Sequence, residues 1–319
     1  MNSMGADRIP FLFLLDFELN EPFIVPLTEA RPDEILFDLN GISNFETGAV
    51  SAKKLEFHID PFPKAAYCKA FEKVQEELRY GNTFLLNLTF PSRIDTNYSL
   101  KEFFHASSAK YKVWFRDRFV SFSPEIFVQI RDGVIRSFPM KGTIDARIPD
   151  AESKLLASKK EKAEHYTIVD LIRNDLSLVA QQVRVKRFQY IDHLRTHKNE
   201  ILQMSSEIEG QLPKDFNCHL GDIFMSLLPA GSISGAPKKK TLEIIRENEK
   251  GNRGFYTGIV GIFNGKDVDS GVLIRYLEKT ENGLQFRSGG GITALSKCEK
   301  EYDELIQKIY VPITGKHTV

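Results

Sequence analysis

The sequence predicts an α+β fold in which antiparallel β-sheets form a sandwich-like core with helices outside. Three observations carry that expectation. Strand-like runs come in hairpins, as on either side of Asp132–Gly133, rather than alternating with helices. No G-x-G-x-x-G follows a strand-like run, so nothing asks for a dinucleotide or ATP. The chain has 319 residues, 42% of them hydrophobic, which is enough for a sizeable core.

In chain order, the first sixty residues read as short strands broken by Pro22, Pro26, Pro32 and Gly41. Tyr67, Ala70, Phe71, Val74 and Leu78 follow helical spacing, with Gly81 as C-terminal cap. Thr83–Phe90 returns to strand character. Ser99 and Glu102 have capping-box spacing ahead of another helix. Strands follow at Lys112–Trp114, Phe119–Phe122, Ile126–Ile130 and Val134–Phe138, and one long helix is expected over Ala151–Arg173. Beyond it come mixed segments, a glycine-rich loop near Gly231 and a helix opened by Pro237. Tyr256–Phe263 is expected to pair with Val272–Glu278, and Leu284–Ser288 with Ile292–Ala294, before a terminal helix over Cys298–Tyr310.

Composition excludes several function classes. The 43 basic and 43 acidic side chains cancel, leaving no surplus for nucleic-acid phosphates or an anionic membrane. The apolar run Phe11–Leu15 is too short for a signal or membrane segment. Cys68, Cys218 and Cys298 are odd in number and far apart, which reads as reduced thiols in a cytoplasmic protein rather than a disulfide framework.

The informative residues are carboxylates on apolar faces. In EKAEHYTIVDLIRND, Glu164 shares a helix face with Ile168, Leu171 and Asp175, and Glu161 lies one turn before it. In the terminal helix, Glu301 shares a face with Leu305 and Ile309, and Glu304 sits one turn away. An inward carboxylate is costly unless it is paired or binds a metal, and Mg²⁺ prefers such hard oxygen donors. Acids at the edge of a solvated stripe are the alternative. LLPAGSISGAPKKK and RSGGGIT, with Gly289, Gly290 and Gly291, allow close backbone approach to an anion, or are ordinary turns. Lys141, straight after an apolar strand, suits a base or nucleophile if desolvated, and otherwise snorkels to solvent. Glu125 in FSPE suits a general acid if partly buried. Arg275, inside the apolar run VLIRYL, requires a carboxylate from protein or ligand.

Together these segments resemble the chorismate-utilising enzymes. The resemblance runs from about Tyr67 to Tyr310 through GNTFLLNLTF, FSPEIF, FPMKGTIDAR, AEHYTIVDLIRNDLSLVA, LLPAGSISGAPKKKTLEII, RGFYTGIVGIF and SGGGITALSKCEKEYDEL. It implies a domain over 61–312 that binds chorismate, with a shortened strand-rich segment at 1–60 belonging to the same domain and a tail at 313–319. It implies Mg²⁺ ligation by Glu164 and Glu301, with Glu161 and Glu304 in support. Tyr256, Arg275, the Gly289–Gly291 backbone and Lys308 match positions holding the substrate's carboxylates, and Ser232 and Ser234 lie in a loop closing over the ring. Lys141 in FPMKGT resembles the aminodeoxychorismate synthases, where Glu125 would assist departure of the C4 hydroxyl while the lysine attacks C2. Ammonia would come from a separate glutamine amidotransferase. Isochorismate- or salicylate-forming relatives using water, and anthranilate synthase, are the alternatives. Two departures stand out. Gln203 replaces a histidine common in the family, and TIDAR stands where TRPR is usual.

Overall fold

The computed structural model describes residues 1–46, 53–195, 200–249 and 251–313, so the expected tail lies outside the described residues apart from Ile313. The fold is α+β, and its strands form two large antiparallel sheets, as expected. The chain divides into two compact units. Unit 1 comprises Met1–Pro10, Ile126–Ser232 and Phe263–Asp269; unit 2 comprises Phe11–Glu125, Ile233–Ile262 and Ser270–Val319.

In unit 1 the strand Glu200–Gln211 is the spine. Gln181–Arg195 pairs along one edge, and Met140–Asp145 and Val134–Ser137 share the other. This long hairpin was only mixed segments to the sequence reading. Ile126–Arg131 and Val134–Ser137 are joined at Asp132 and Gly133, whose φ of 52° and 74° are those of a type I′ turn. The single long helix is corrected: it breaks into Ala151–Ala157 and Lys159–Ser177. Ser158 is the reason, because its side chain leaves the helix to accept from Glu161 N at 3.3 Å and caps the second segment. The buried stripe of that second helix is His165, Ile168, Val169, Ile172 and Leu176, and Glu164 lies on its flank rather than its centre.

Unit 2 carries a sheet in the order Gly235–Ala236, Leu85–Thr96, Gly283–Ile292, Tyr276–Thr280, Phe119–Ser123, Tyr111–Phe115, Ile35–Leu39 and Ile42–Ser43, with Phe57–Asp60 also on Leu85–Thr96. The helices Lys64–Arg79 and Cys298–Gln307 pack over it through Tyr67, Phe71, Val74, Leu88, Phe90, Ile292 and Leu305. Gly81 ends the first helix as expected, with φ of 79° and its N–H bonded to Leu78 O at 3.2 Å. The Ser99–Glu102 capping box forms, and the donors around Glu102 hold its carboxyl down at about 2.

The expected strand pairings near the C-terminus are corrected. Ile259–Phe263 turns back through Asn264–Asp267 into Val268–Val272, and Tyr276–Thr280 pairs with Gly283–Ile292 across a turn at Glu281–Asn282. Arg275 therefore lies outside any strand, in a left-handed kink with φ of 53°.

The cysteine reading is also corrected. Cys68 and Cys298, 230 residues apart, form a disulfide with Cα atoms 5.9 Å apart. Distance along the chain hid the pair; it meets because its two helices lie side by side. None of the described helices is long and apolar enough to cross a membrane. Chain-entropy arguments give a cross-link closing so long a loop a stabilising ceiling of about 5 kcal/mol. Reduction, or Cys298→Ser, is expected to lower the denaturant midpoint and to steepen the slope, because the uncross-linked unfolded chain exposes more surface; urea unfolding with and without a phosphine reductant measures both.

Candidate active site

The two groups of site residues are built separately, one in each unit. In unit 1, Lys141 owes its position to an irregularity. Met140 pairs with Ser205 and Thr143 with Gln203, so Lys141 and Gly142 together stand opposite the single residue Met204. This is a β-bulge, and Gly142, with φ of 80°, supplies the left-handed residue it needs. The bulge aims both residues at the Lys159–Ser177 helix. Lys141 Nζ lies 3.9 Å from Glu164 Oε2, with the two side chains 25% and 14% exposed. A Cβ on Gly142 would stand 3.0 Å from Glu161 Oε2. Behind this pair, His165 is fully buried against Ser206, at 2.7 Å from its Oγ. Burial first, and the Lys141 charge second, hold its imidazole down to about 4, so it is neutral at physiological pH.

In unit 2, the Gly283–Ile292 strand and the Cys298–Gln307 helix make the second group. Glu301 is 4% exposed and shares the buried face with Leu305, as expected, but the helix ends at Gln307 rather than Tyr310, so Ile309 lies beyond it and packs in another cluster. Lys308, just past the helix end, bonds Glu304 at 2.6 Å and donates to Gly289 O at 2.9 Å. A Cβ on Gly290 would meet Glu304 Oε1 at 3.3 Å, Lys308 Nζ at 3.6 Å and Glu301 Oε2 at 3.7 Å, so the strand backbone is bare where these side chains converge. Gly289 is bare for another reason: a Cβ there would sit 2.4 Å from Leu88 O on the paired strand.

Arg275 lies over the Tyr310 ring at 4.8 Å, and its buried Nε has no hydrogen-bond partner. Among the described residues no carboxylate pairs with it. Tyr256 is buried beside Tyr276, and burial pushes its hydroxyl up to about 12. Ser234 is fully buried in unit 2, whereas Ser232 closes the main stretch of unit 1. The Glu125 backbone is tied down, its N–H to Ser123 Oγ at 3.0 Å and its carbonyl to Val272 N at 3.1 Å. Among the described residues, no three His, Cys, Asp or Glu side chains gather as one metal-binding group; the four expected acids stand two in each unit.

Sequence reasoning missed three participants. Tyr67 is 1% exposed, and burial followed by Glu301 and Glu304 raises its hydroxyl far above the usual tyrosine range; it read simply as an apolar helix position. Arg253, 2% exposed, makes a bidentate pair with Glu249 at 2.6 and 2.8 Å, and its remaining N–H groups reach Ile233 O and Asn87 O. No local signal marked this pair, because the helix ends at Asn248 and Arg253 lies beyond it. The third is His165, visible only as a histidine on a helix.

The two neighbouring glycines should respond differently to alanine. Gly289→Ala forces a Cβ against backbone and is expected to cost about 1–3 kcal/mol of stability. Gly290→Ala meets mobile side-chain ends, so it should melt near the parent temperature while losing affinity for substrate. Thermal melts and substrate titration of both variants check this.

The chorismate binding enzyme family matches residues 32–314. An uncharacterised PabA-like protein of Pasteurella multocida is 51% identical, over 98% of this chain and 97% of that protein. Aminodeoxychorismate synthase component 1 of Klebsiella aerogenes is 33% identical, over 76% of this chain and 56% of its own length. The crystal structure of anthranilate synthase component I from Streptococcus pneumoniae superposes with a TM-score of 0.68 at 24% identity, over 82% of this chain and 60% of that one. With a match that spans most of the chain and a fold shared with a solved relative, the protein belongs to the family of chorismate binding enzymes.

Proposed function

We propose that the chain is the aminating component of an aminodeoxychorismate synthase, converting chorismate and ammonia to 4-amino-4-deoxychorismate. The observation that carries this reading is Lys141, a lysine held on a β-bulge beside Glu164 in a chorismate binding enzyme. An amine so placed, once deprotonated, is a nucleophile. It adds at C2 of chorismate as both ring double bonds shift, C1=C2 becoming C1=C6 and C5=C6 becoming C4=C5, and the C4 hydroxyl departs, with Glu125 giving its proton to the leaving oxygen. Ammonia then adds at C4, both double bonds return, and the lysine leaves C2 as its amine. The ammonia is supplied by a separate glutamine amidotransferase or from solution.

The substrate's carboxylates are assigned to Arg275, Tyr256, Lys308 and the Gly289–Gly291 backbone, with Ser232 and Ser234 in the loop over the ring. Arg275 supports this with a buried guanidinium nitrogen that meets no acceptor among the described residues. We assign magnesium to Glu164 and Glu301, with Glu161 and Glu304 in support. Paired carboxylates are the hard-oxygen donors this ion selects. Magnesium would withdraw charge from the ring carboxylate.

Chorismate, Mg²⁺ and ammonium, with and without aminodeoxychorismate lyase, make the test. p-Aminobenzoate appearing only with lyase supports the reading. Isochorismate, salicylate or anthranilate sinks it in favour of a relative with another nucleophile. Lys141→Ala should lower kcat by about a hundredfold or more while chorismate still binds; unchanged turnover removes the lysine from the mechanism. Glu301→Gln should weaken magnesium binding, read by calorimetry independently of turnover, and unchanged affinity would show the ligand assignment wrong.

A further inference from the structure

Ser206 lies midway along the Glu200–Gln211 strand, fully buried, and its N–H and hydroxyl reach three different neighbours. Its N–H donates to Pro139 O at 3.0 Å, two residues before Lys141. Its Oγ accepts from Gln189 N at 3.0 Å and lies 2.7 Å from His165 Nε2, next to Glu164. Both strands flanking the spine bulge close to this point. Lys141 and Gly142 crowd opposite Met204, and the register of the other strand shifts between Arg187 and Tyr190, opposite Glu207 and Ser205. Gln189, inside that second bulge, has φ of 51°, a left-handed conformation that costs a non-glycine residue about 1–2 kcal/mol.

A buried hydroxyl and a buried imidazole bring no stability that an apolar pair of the same shape would lack, since both must be desolvated first. Their use here, with a strained glutamine alongside, marks a point where geometry matters more than stability. We infer that Ser206 is a positioning residue: by holding His165 through its hydroxyl and Pro139 through its backbone, it sets the Lys141 amine against Glu164. The inference rests on the reading of Lys141 as the nucleophile. The helix that carries Glu164 and the strand that carries Lys141 have no need of a direct bond to keep their spacing, because each is tied to the same serine. Loss of the hydroxyl would free His165 and the Gln189 N–H together and leave the bond to Pro139 intact.

The test uses the full chain as Ser206→Ala and, separately, His165→Asn. The first readout is kcat and KM for chorismate. A mispositioned reacting group is expected to lower kcat by about tenfold with KM held within about twofold. The second is acylation of Lys141 by an N-hydroxysuccinimide ester, followed by peptide mass mapping with Lys266 and Lys279 as internal references. Lys141 should change its labelling rate by about threefold or more in both variants while the references stay constant. Labelling of Lys141 at the parent rate would overturn the inference, as would equal changes at the reference lysines, which would mean general loosening. If the parent chain makes a product other than aminodeoxychorismate, the functional reading falls, yet Lys141 labelling still decides the role of Ser206.

Discussion

The second unit depends on one buried ion pair. Arg253 and Glu249 are almost wholly removed from water, a state tolerable only if every charge-bearing atom is met. It is: the guanidinium takes both oxygens of Glu249 and the carbonyls of Ile233 and Asn87, and Glu249 Oε1 also accepts from Thr89 N at 2.8 Å. Asn87 and Thr89 pair with Gly291 and Gly289. The pair therefore holds the backbone directly opposite the triple glycine and ties it to the segment that precedes the Lys238–Asn248 helix. Removing one partner of such a pair costs about 3–5 kcal/mol, far more than the pair adds over an apolar replacement. Its worth is in geometry: a glycine strand has no side chains of its own to hold a shape.

Unit 1 reaches the same end with neutral groups. There the spine strand carries Ser206, and the helix above it carries His165, in place of a charge pair. Both devices sit behind the residues assigned to chemistry rather than among them. In unit 1 the groups assigned to chemistry, Lys141 and Glu164, keep some exposure at 25% and 14%, whereas His165 and Ser206 behind them are fully buried.

Much of this was legible in the sequence. The capping box at Ser99, the Asp132–Gly133 turn and the inward Glu301 follow from local rules of spacing and propensity, which the structure keeps. The failures share a cause: they depend on which segments become neighbours. Cys68 and Cys298 looked unrelated because only helix packing brings them together. Arg275 looked like a strand residue because apolar composition does not reveal a single left-handed φ. The break at Ser158 was readable, since a serine followed three residues later by glutamate is a helix-start signal, but the continuous charge pattern around it masked the stop. For the site, the motifs pointed to Lys141, Glu164, Glu301 and the glycines. Their supports, Tyr67, Arg253 and Ser206, are ordinary residues whose task exists only in three dimensions.

The bulge at Lys141 and Gly142 has a consequence for how this strand can vary. Side chains along a strand alternate like odd and even numbers, and the bulge adds one count, so every residue from Thr143 onward has the opposite parity to the one it would otherwise hold. Ile144 reaches the apolar cluster of Ala151, Leu155, Leu202 and Met204 only because of that added count. Regularising the strand with every residue kept would therefore do more than displace a lysine: it would turn Ile144 out of the core and Thr143 into it, a frameshift written in side-chain direction rather than in codons. Deleting Gly142 removes the extra count and the extra residue together, and leaves Thr143 opposite Gln203 and Ile144 opposite Leu202. The bulge is thus a detachable perch: the strand can shed it with one residue and keep its core, and what goes is the placement of Lys141.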